Sequence, residues 1–433
     1  MSFRTIIGRT RDERLRYKRK GLIRIGKQYV QMGQVSSLTN NVYLDVATTH
    51  VVLVTGKRGS GKSFTLSLVA EEISRLDEAI KQRLSVVMFD TLGVFWTMKY
   101  PNYRQQDLLD KWKIKPEATK VEIFIPTGHF QNFLDKGMLV DKKFSLRVSD
   151  LKAVDWCTIF NLDFLSPEGI LIQNTLRDVS KKFRLYGLKD IIEELNSKKA
   201  DEKIKQPVLN LFIIALTWGL FRKKGTKLKS IVHPGRISVI DLSPYTSISG
   251  GFSIKALVVA LICRRLLSKR MEVRRFEELQ DIQSSFLTNK KQELPLVWLL
   301  IDEIQEFIPK NGKTIATDPL IQILREGRQP GISLIGATQQ PGEIHSDMLT
   351  QADVVISHRL TAESDIKALS SIMQSYLLSN IDTSMRNLPK YKGAALILDD
   401  NSERIYTVKI KPKRSWHGGE APTAVKIEKE IKF

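Results

Sequence analysis

The feature that most constrains the fold is the glycine-rich stretch GKRGSGKS at positions 56–63. It follows the apolar run at 50–54 and precedes a helical pattern over 64–76. The pattern G-x-x-x-x-G-K-[ST] between a strand and a helix is typical of a loop that binds phosphate through backbone N–H groups and the helix N-terminus. The predicted nucleotide-binding residues are Gly56, Lys57, Arg58, Gly59, Ser60, Gly61, Lys62, Ser63 and Phe64. Lys62 is expected to act on the transferring phosphoryl group of ATP, and Ser63 to bind Mg²⁺.

Continuous apolar runs recur along the chain, and helical patterns separate most of them. The runs lie at 85–89, 237–240, 297–301, 332–335, 354–356 and 394–398. Such runs are typical of strands buried on both faces of a parallel sheet, and their alternation with helices predicts an α/β fold. We predict a mainly parallel sheet flanked by helices, formed by residues 46–126 and 231–410. Residues 127–230, where helical patterns dominate, are predicted to form a mostly helical insertion.

Two acidic residues end the apolar run LVWLLIDE at 296–303. In a chain that also has a complete phosphate loop, an apolar strand that ends in acidic residues is typical of the Walker B motif of nucleotide-binding proteins. Asp302 is then expected to hold the Mg²⁺ shell, and Glu303 to act as the general base on the attacking water. The alternative is a strand end with two solvated acids.

Three further polar residues are candidates for the same site. Gln339 follows the run at 332–335 and could sense the γ-phosphate or the attacking water, although it could also be an ordinary loop amide. Arg328, at a predicted helix end, suits the γ-phosphate of a neighbouring subunit or, equally, the dipole of its own helix. Asp90 ends the run at 85–89 and could tune the Mg²⁺ water shell if its strand is next to the phosphate loop, or could cap a loop.

The chain is strongly basic. Lysine and arginine total 68 against 47 aspartate and glutamate residues, which gives a net charge of +21 and a pI near 9.7. Such an excess indicates a polyanionic partner, and in a nucleotide-binding chain it favours nucleic acid over a merely solvated surface. Residues 1–45 are predicted to form a basic arm with short strands, either binding phosphate or mobile. Residues 411–433 are predicted to form a basic tail.

Cysteine usage and hydropathy bear on the compartment. Cys157 and Cys263 lack nearby ligand partners, so neither a zinc site nor a disulfide framework is expected. The N-terminus lacks the apolar core of a signal peptide, and no apolar stretch reaches the ~20 residues that span a bilayer. These features predict a cytoplasmic protein without a membrane anchor.

Together these motifs resemble the HerA/FtsK superfamily of hexameric DNA-pumping ATPases, and the HerA branch most closely. The ordered matches are VTGKRGSGKS at 54–63, VVMFDTLG at 86–93, LLIDEIQEFIP at 299–309, LREGRQPGISLIGATQQP at 324–341 and ADVVISHRLTAESD at 352–365. The resemblance implies a RecA-like core, a homohexamer and Arg328 acting across the subunit interface, with Arg359 a weaker second candidate. HerA proteins usually carry an N-terminal β-barrel that docks a NurA nuclease. Only about fifty residues precede the core here, so we expect no full barrel, and such a partner is in doubt.

These features predict an ATP-hydrolysing ring that moves on or unwinds double-stranded DNA. One candidate group of DNA-binding residues, which could equally be a solvated helix face, is Arg264, Arg265, Lys269, Arg270, Arg274 and Arg275. A second hypothesis is a nucleotide-gated binding or assembly factor. A third keeps the motor but assigns it to conjugation, genome packaging or mobile-element defence, because a fold does not specify its task.

Overall fold

A computed structural model of the protein describes residues 4–32, 35–248, 250–283, 294–372 and 378–419. Its strands are β1 (Thr5–Ile7), β2 (Leu22–Met32), β3 (Val35–Asp45), β4 (Val51–Thr55), β5 (Leu84–Asp90), β6 (Val121–Pro126), β7 (Lys142–Phe144), β8 (Leu146–Arg147), β9 (Phe221–Arg222), β10 (Ile237–Asp241), β11 (Leu296–Ile301), β12 (Ile332–Thr338), β13 (Val354–His358), β14 (Ala394–Asp399) and β15 (Arg404–Ile410). Its helices are α1 (Arg11–Tyr17), α2 (Lys62–Ile73), α3 (Glu78–Lys81), α4 (Gln106–Lys111), α5 (Phe130–Asp135), α6 (Ala153–Phe160), α7 (Pro167–Lys182), α8 (Leu188–Ser197), α9 (Glu202–Thr217), α10 (Leu228–Ile231), α11 (Gly251–Gln283), α12 (Thr317–Glu326), α13 (Ser346–Gln351), α14 (Glu363–Ile372) and α15 (Leu378–Arg386).

One large sheet organises the described residues. Its strand order is β1-β3-β2-β15-β14-β13-β4-β12-β11-β5-β10-β6-β7. The run from β13 to β7 is parallel throughout, whereas β14, β15 and β2 join it by antiparallel pairing. Every residue of β5 and β12 is buried, as expected for strands covered by helices on both faces. The predicted α/β fold with a mainly parallel sheet flanked by helices is therefore confirmed.

Alternating side chains of the central strands supply two separate cores. Val52 and Val54 of β4 pack with α2 on one face, and Leu53 packs with the core that contains α11 and α12 on the other. This arrangement follows from the two-residue period of a strand, which sends successive side chains to opposite faces. The phosphate-loop strand is thus held from both sides.

The segment 127–230 contains the longer helices α6–α9 together with the short strands β7, β8 and β9. Trp156 lies fully buried at the centre of its aromatic core, with ring centroids 5.0 Å from Phe212 and 5.2 Å from Phe221. This segment is not separate from the sheet, because β7 pairs with β6 at the sheet edge.

The residues before the phosphate-loop strand also belong to the sheet. β2 and β3 are eleven residues each, longer than the short strands expected; they pair with each other, and β2 also pairs with β15. Their inward side chains, such as Ile23, Ile25 and Val42, are buried, which explains why this basic segment is ordered.

Residues 411–419 run along α2 and are not a solvent-exposed tail. Lys411 and Lys413 are buried, and the Nζ of Lys413 donates to the Oγ of Ser67 at 2.8 Å. Buried Glu71 of α2 accepts the backbone N–H groups of Arg414 and Ser415, both at 2.9 Å. The predicted tail beyond residue 419 lies outside the described residues. Within the described ranges, no helix is long and apolar enough to cross a membrane.

Candidate functional site

The phosphate loop connects β4 to α2 at the carboxyl edge of the parallel strands. Gly56, Gly59 and Gly61 have φ values of 151°, 75° and 118°, which side-chain-bearing residues rarely adopt. A Cβ on Gly61 would lie 3.3 Å from the Cε1 of His358, and one on Gly56 would lie 2.4 Å from the Oγ of Ser60. Both conformation and space therefore require glycine at these two positions.

Lys62 begins α2 and is almost fully buried, with 5% of its surface exposed. Its Nζ donates to the carbonyl oxygen of Lys57 at 3.3 Å, within the loop itself. Burial lowers the pKa of Lys62, while the charges of Glu303 and Asp302 act in the opposite direction. The ammonium group is thus held inside the loop, where its positive charge would attract an anionic ligand.

Ser63 and Asp302 face each other across this edge, and the Oγ of Ser63 donates to Oδ2 of Asp302 at 2.6 Å. Burial, together with the charges of Glu303 and Asp90, raises the pKa of Asp302 to about 6, although the Ser63 hydrogen bond opposes this. A hydroxyl and a carboxylate are the hard oxygen ligands that Mg²⁺ prefers. No cluster of three or more acidic, histidine or cysteine ligands occurs among the described residues, so Mg²⁺ here would need nucleotide phosphates and water.

Glu303 follows directly and adopts a left-handed backbone conformation, with φ 52°. Its carboxylate accepts hydrogen bonds from the side-chain amides of Gln305, at 2.8 Å, and Gln339. Because β12 lies between β4 and β11, the residue after β12 meets the end of the acidic strand. The sheet order therefore brings Gln339 to Glu303, and Glu303 is 7% exposed.

Asp90 is not beside the phosphate loop, because β5 pairs with β11 and not with β4. The expectation that β5 is the neighbour of the phosphate-loop strand is therefore wrong, because β12 and β11 lie between β4 and β5. The role of Asp90 in the Mg²⁺ water shell stays a prediction. The carboxylate accepts the N–H groups of Gly93 at 2.7 Å and Phe95 at 2.8 Å, which caps the following loop. Burial and the charge of Asp241, opposite it on β10, raise the pKa of Asp90 to about 7.

The two candidate arginines, Arg328 and Arg359, lie at opposite ends of the parallel strands. Arg328 is exposed and precedes β12, and its carbonyl oxygen accepts from Thr49, two residues before β4, at 3.2 Å. Arg359 follows β13 beside the phosphate loop, where its carbonyl oxygen accepts the N–H of Lys57 at 3.2 Å. Arg359 therefore borders this chain's own loop, whereas Arg328 is separated from it by the length of the strands.

His358 is a residue of the site that sequence reasoning missed. It is buried against the loop, with its Nε2 2.8 Å from the Oγ1 of Thr65 and its Nδ1 3.3 Å from the carbonyl oxygen of Ala394. Burial, and to a smaller extent the charge of Lys62, lowers the pKa of His358 to about 4, so the imidazole is neutral at physiological pH. Its place at the end of an apolar run, before Arg359, was the available signal.

Phe64, the last predicted nucleotide-binding residue, is half-buried beneath the 411–419 segment. Its ring meets the His417 ring edge-on, with centroids 5.3 Å apart, and the Nζ of Lys413 lies 5.7 Å from its centre. The segment along α2 therefore ends at the first turn of the phosphate-loop helix.

The basic group on α11 is mostly engaged within the chain. Ion pairs join Arg264 to Asp155, Arg265 to Asp150, Lys269 to Glu272 and Arg274 to Glu278. Arg270 is fully buried and donates to the carbonyl oxygens of Pro330 and Leu294, both at 2.7 Å. Arg270 is therefore wrong as a candidate DNA contact, because its side chain has no access to solvent.

Known proteins resemble this chain in sequence and in fold. Over 390 residues the chain is 23% identical to the DNA double-strand break repair helicase HerA of Saccharolobus solfataricus, covering 87% of this chain and 65% of that protein. Over 151 residues it is 30% identical to the probable HerA helicase of Methanocaldococcus jannaschii, covering 31% of this chain and 28% of that protein. The solved structure of VirB4 from Thermoanaerobacter pseudethanolicus superposes with a TM-score of 0.55 at 15% identity, covering 91% of this chain and 97% of that one.

The chain thus spans less than two thirds of the length of these two HerA relatives, while VirB4 shares its fold nearly end to end. The model of the family described as the central domain of helicase HerA matches residues 24–266, more than half of the chain. This match includes the phosphate loop and the segment 127–230, and it confirms the resemblance carried by the sequence motifs. The chain belongs to the HerA helicase central-domain family of P-loop ATPases.

Proposed function

We propose that this protein is an ATP-hydrolysing motor that translocates on, or unwinds, double-stranded DNA as a homohexamer. The observation that carries the proposal is the convergence of Lys62, Ser63, Asp302, Glu303 and Gln339 at one edge of the sheet. The relatives named as HerA are described as DNA double-strand break repair helicases. The net charge of +21 supports a polyanionic partner for this chain.

Each residue has a distinct role in the proposed reaction. Lys62 binds the phosphates and stabilises the charge that develops as the terminal phosphoryl group leaves. Glu303 accepts a proton from the attacking water, and the Gln339 amide fixes the orientation of its carboxylate. When bound, Mg²⁺ neutralises phosphate charge, and Ser63 and Asp302 would hold it.

Arg328 completes the site only if a second subunit supplies it. It lies beyond the amino end of β4, whose five residues at about 3.3 Å each place about 16 Å between the two edges. One chain therefore cannot bring its phosphate loop and its own Arg328 to the same nucleotide. A neighbouring subunit could place its Arg328 at this chain's loop. A planar, permanently charged guanidinium suits the charge on the γ-phosphate.

The first test measures ATP hydrolysis with and without duplex DNA for the wild type and Glu303→Gln. We expect DNA to stimulate the wild type, and the substitution to lower kcat by about 100-fold or more while ATP still binds, because only the proton acceptor is lost. Glu306→Gln is the matched control, since Glu306 pairs with Lys255 at 2.9 Å outside the cluster. An unstimulated wild type with an unaffected Glu303→Gln variant would exclude the motor.

Measurements of partner binding and duplex unwinding by the Glu303→Gln variant separate the motor from a nucleotide-gated assembly factor. Such a factor would bind ATP and a partner, yet its partner binding would persist unchanged in Glu303→Gln without turnover. Duplex unwinding or displacement of a bound roadblock that requires Glu303 supports the motor.

The second test concerns action across the interface. Arg328→Ala and Lys62→Ala subunits are each expected to form inactive rings, whereas mixed rings contain some interfaces with both groups intact. We expect activity to return on mixing. Absence of recovery, in rings shown by mass to be mixed, would contradict the assignment of Arg328 to the neighbour's site.

A further inference from the structure

The surface formed by α1 and the turn after it is the most basic exposed surface of the first 45 residues. Positions 11–20 carry six basic and two acidic residues. All six basic side chains are exposed. Arg14 donates to the carbonyl oxygens of Ile6 and Arg9, and the other five side chains are here named the α1 patch: Arg11, Arg16, Lys18, Arg19 and Lys20. We propose that the α1 patch binds the phosphate backbone of duplex DNA. This proposal rests on the proposed function, because it identifies a surface with which that motor holds its DNA.

No ion pair among the described residues neutralises the charges of the α1 patch. None of its five side chains forms an ion pair with an acid in the part of the chain that the structure describes. The carboxylate of Glu13 caps the helix and pairs with none of these cations. It accepts the N–H of Thr10 at 2.9 Å and the Thr10 hydroxyl at 3.0 Å. Clustered cations without counter-charges repel one another, and a polyanion relieves that repulsion.

Two exposed lysines of the segment 127–230 are paired with acidic residues, unlike the side chains of the α1 patch. Lys182 pairs with Glu194 at 2.5 Å, and Lys223 pairs with Asp190 at 2.9 Å. Both lysine side chains are more than half exposed, so exposure by itself does not leave a cation unpaired.

The α1 patch is also held rigidly. Fully buried Arg9 donates to Oδ1 of Asp45 at 2.8 Å and to the carbonyl oxygens of Lys18, at 2.9 Å, and Lys20. The preceding β1 pairs with β3, so both sides of α1 are anchored to the sheet. A surface whose backbone is already ordered loses less entropy on binding than a mobile basic arm would.

The anchor of the α1 patch continues to the phosphate-loop strand. The second carboxylate oxygen of Asp45 lies 3.2 Å from the Nε2 of His50, the residue that precedes β4. The other ring nitrogen of His50 lies 2.6 Å from Asp353, which immediately precedes β13. DNA held by the patch would therefore be linked, through a buried hydrogen-bonded chain, to the strand that carries the nucleotide loop.

The chemistry of the patch favours duplex DNA over an anionic membrane. Three guanidinium and two ammonium groups match phosphate oxygens without requiring any base contact. Membrane-surface helices also need a broad apolar face, whereas α1 has seven residues and one exposed apolar side chain, Leu15. A single exposed leucine is ordinary on a protein surface.

The test uses the full chain with Arg11, Arg16, Arg19 and Lys20 all changed to Gln. The matched control changes Arg177, Lys182, Lys198 and Lys223 to Gln, which removes the same charge from the segment 127–230. Binding to a fluorescent duplex is measured over a series of salt concentrations, with a non-hydrolysable ATP analogue present. Unchanged ATP hydrolysis without DNA and an unchanged unfolding temperature show that the patch variant is folded.

We expect the patch variant to bind duplex DNA at least about tenfold more weakly. We also expect it to reduce the slope of log K against log salt by about 3.6, since each of the four lost phosphate contacts contributes about 0.9. The control should keep the wild-type slope. Equal slopes in the two variants would overturn the α1 patch while leaving the motor intact. A wild type that binds no duplex at all would overturn both.

A parallel measurement uses vesicles containing phosphatidylserine. If the wild type binds these vesicles and the patch variant does not, while both bind duplex DNA equally, the patch binds membranes and the proposal is overturned. Weak vesicle binding by both proteins, together with the lost duplex binding, supports it.

Discussion

His50 supports a quantitative prediction about stability and pH. It is 4% exposed and lies between two carboxylates, 2.6 Å from Asp353 and 3.2 Å from Asp45. Burial alone would lower the pKa of His50, but the hydrogen bonds and charges of Asp353 and Asp45 outweigh it and raise the pKa from 6.5 to about 9. The imidazole is therefore charged in the folded protein at neutral pH.

The sign of the effect follows from this raised pKa. The folded protein holds the proton more tightly than the unfolded chain, so the stabilisation is complete below about pH 6.5 and is lost as pH rises through about 9. A difference of about 2.5 pKa units corresponds to about 3 kcal/mol of unfolding free energy. His50→Gln removes the titrating group and with it this pH dependence.

The assay is urea unfolding followed by tryptophan fluorescence at about pH 6 and about pH 9.5, for the wild type and His50→Gln. We expect the wild type to have a higher free energy of unfolding than His50→Gln at about pH 6. At about pH 9.5 this difference in unfolding free energy should be smaller by about 3 kcal/mol. His233→Gln, at an exposed position, is the control and should show no such change. A stability gap that is constant between the two pH values would refute a charged His50.

Three further predictions concern other parts of the molecule. Glu71→Gln weakens the bonds to the 411–419 segment, so we expect about 2 kcal/mol of lost stability and faster amide hydrogen exchange in that segment. Unaltered exchange there would contradict the packing of this segment on α2. Gly61→Ala places a Cβ 3.3 Å from His358 at a φ of 118°, so calorimetry should show at least about tenfold weaker ATP binding with the fold retained. Burial raises the pKa of Cys263 to about 12, so mass spectrometry should find this thiol alkylated only after unfolding; rapid labelling of the native protein would show that it is accessible.

Local motifs could be read from the sequence because neighbouring residues make them. The loop at 56–63 needs only its own glycines, a preceding strand and a following helix, and the structure has all three. The helices α6–α9 were likewise visible as apolar patterns. The apolar run at 296–301 ends in two acids, and the structure places Asp302 against Ser63 at 2.6 Å.

The order of strands could not be read in this way. Asp90 was expected near the phosphate loop only if β5 paired with β4, but β12 and β11 lie between them. The neighbours of a strand are decided by packing across the whole sheet. The apolar sequence of a buried strand does not specify which other strand it pairs with. The contact between Gln339 and Glu303, 36 residues apart in the chain, depends on the same choice.

The basic residues show the same limit. A sequence of charges indicates a polyanionic partner, yet it does not say which cations are free to bind one. The fold buries Arg9, Arg270 and Lys413 among hydrogen-bond acceptors. Among the residues that the structure describes, it gives the side chains of the α1 patch no ion pair with an acid.

The sequence by itself therefore determined the nucleotide loop, the class of fold and the family, because these depend on short-range patterns of glycine, charge and apolar residues. The tertiary structure decided which side chains meet: Gln339 with Glu303, His358 with the loop, Glu71 with residues 414 and 415, and His50 with two carboxylates. The physical reason is that such contacts join residues distant in the chain. Their positions are fixed only when the sheet has assembled and water has been excluded from its two faces.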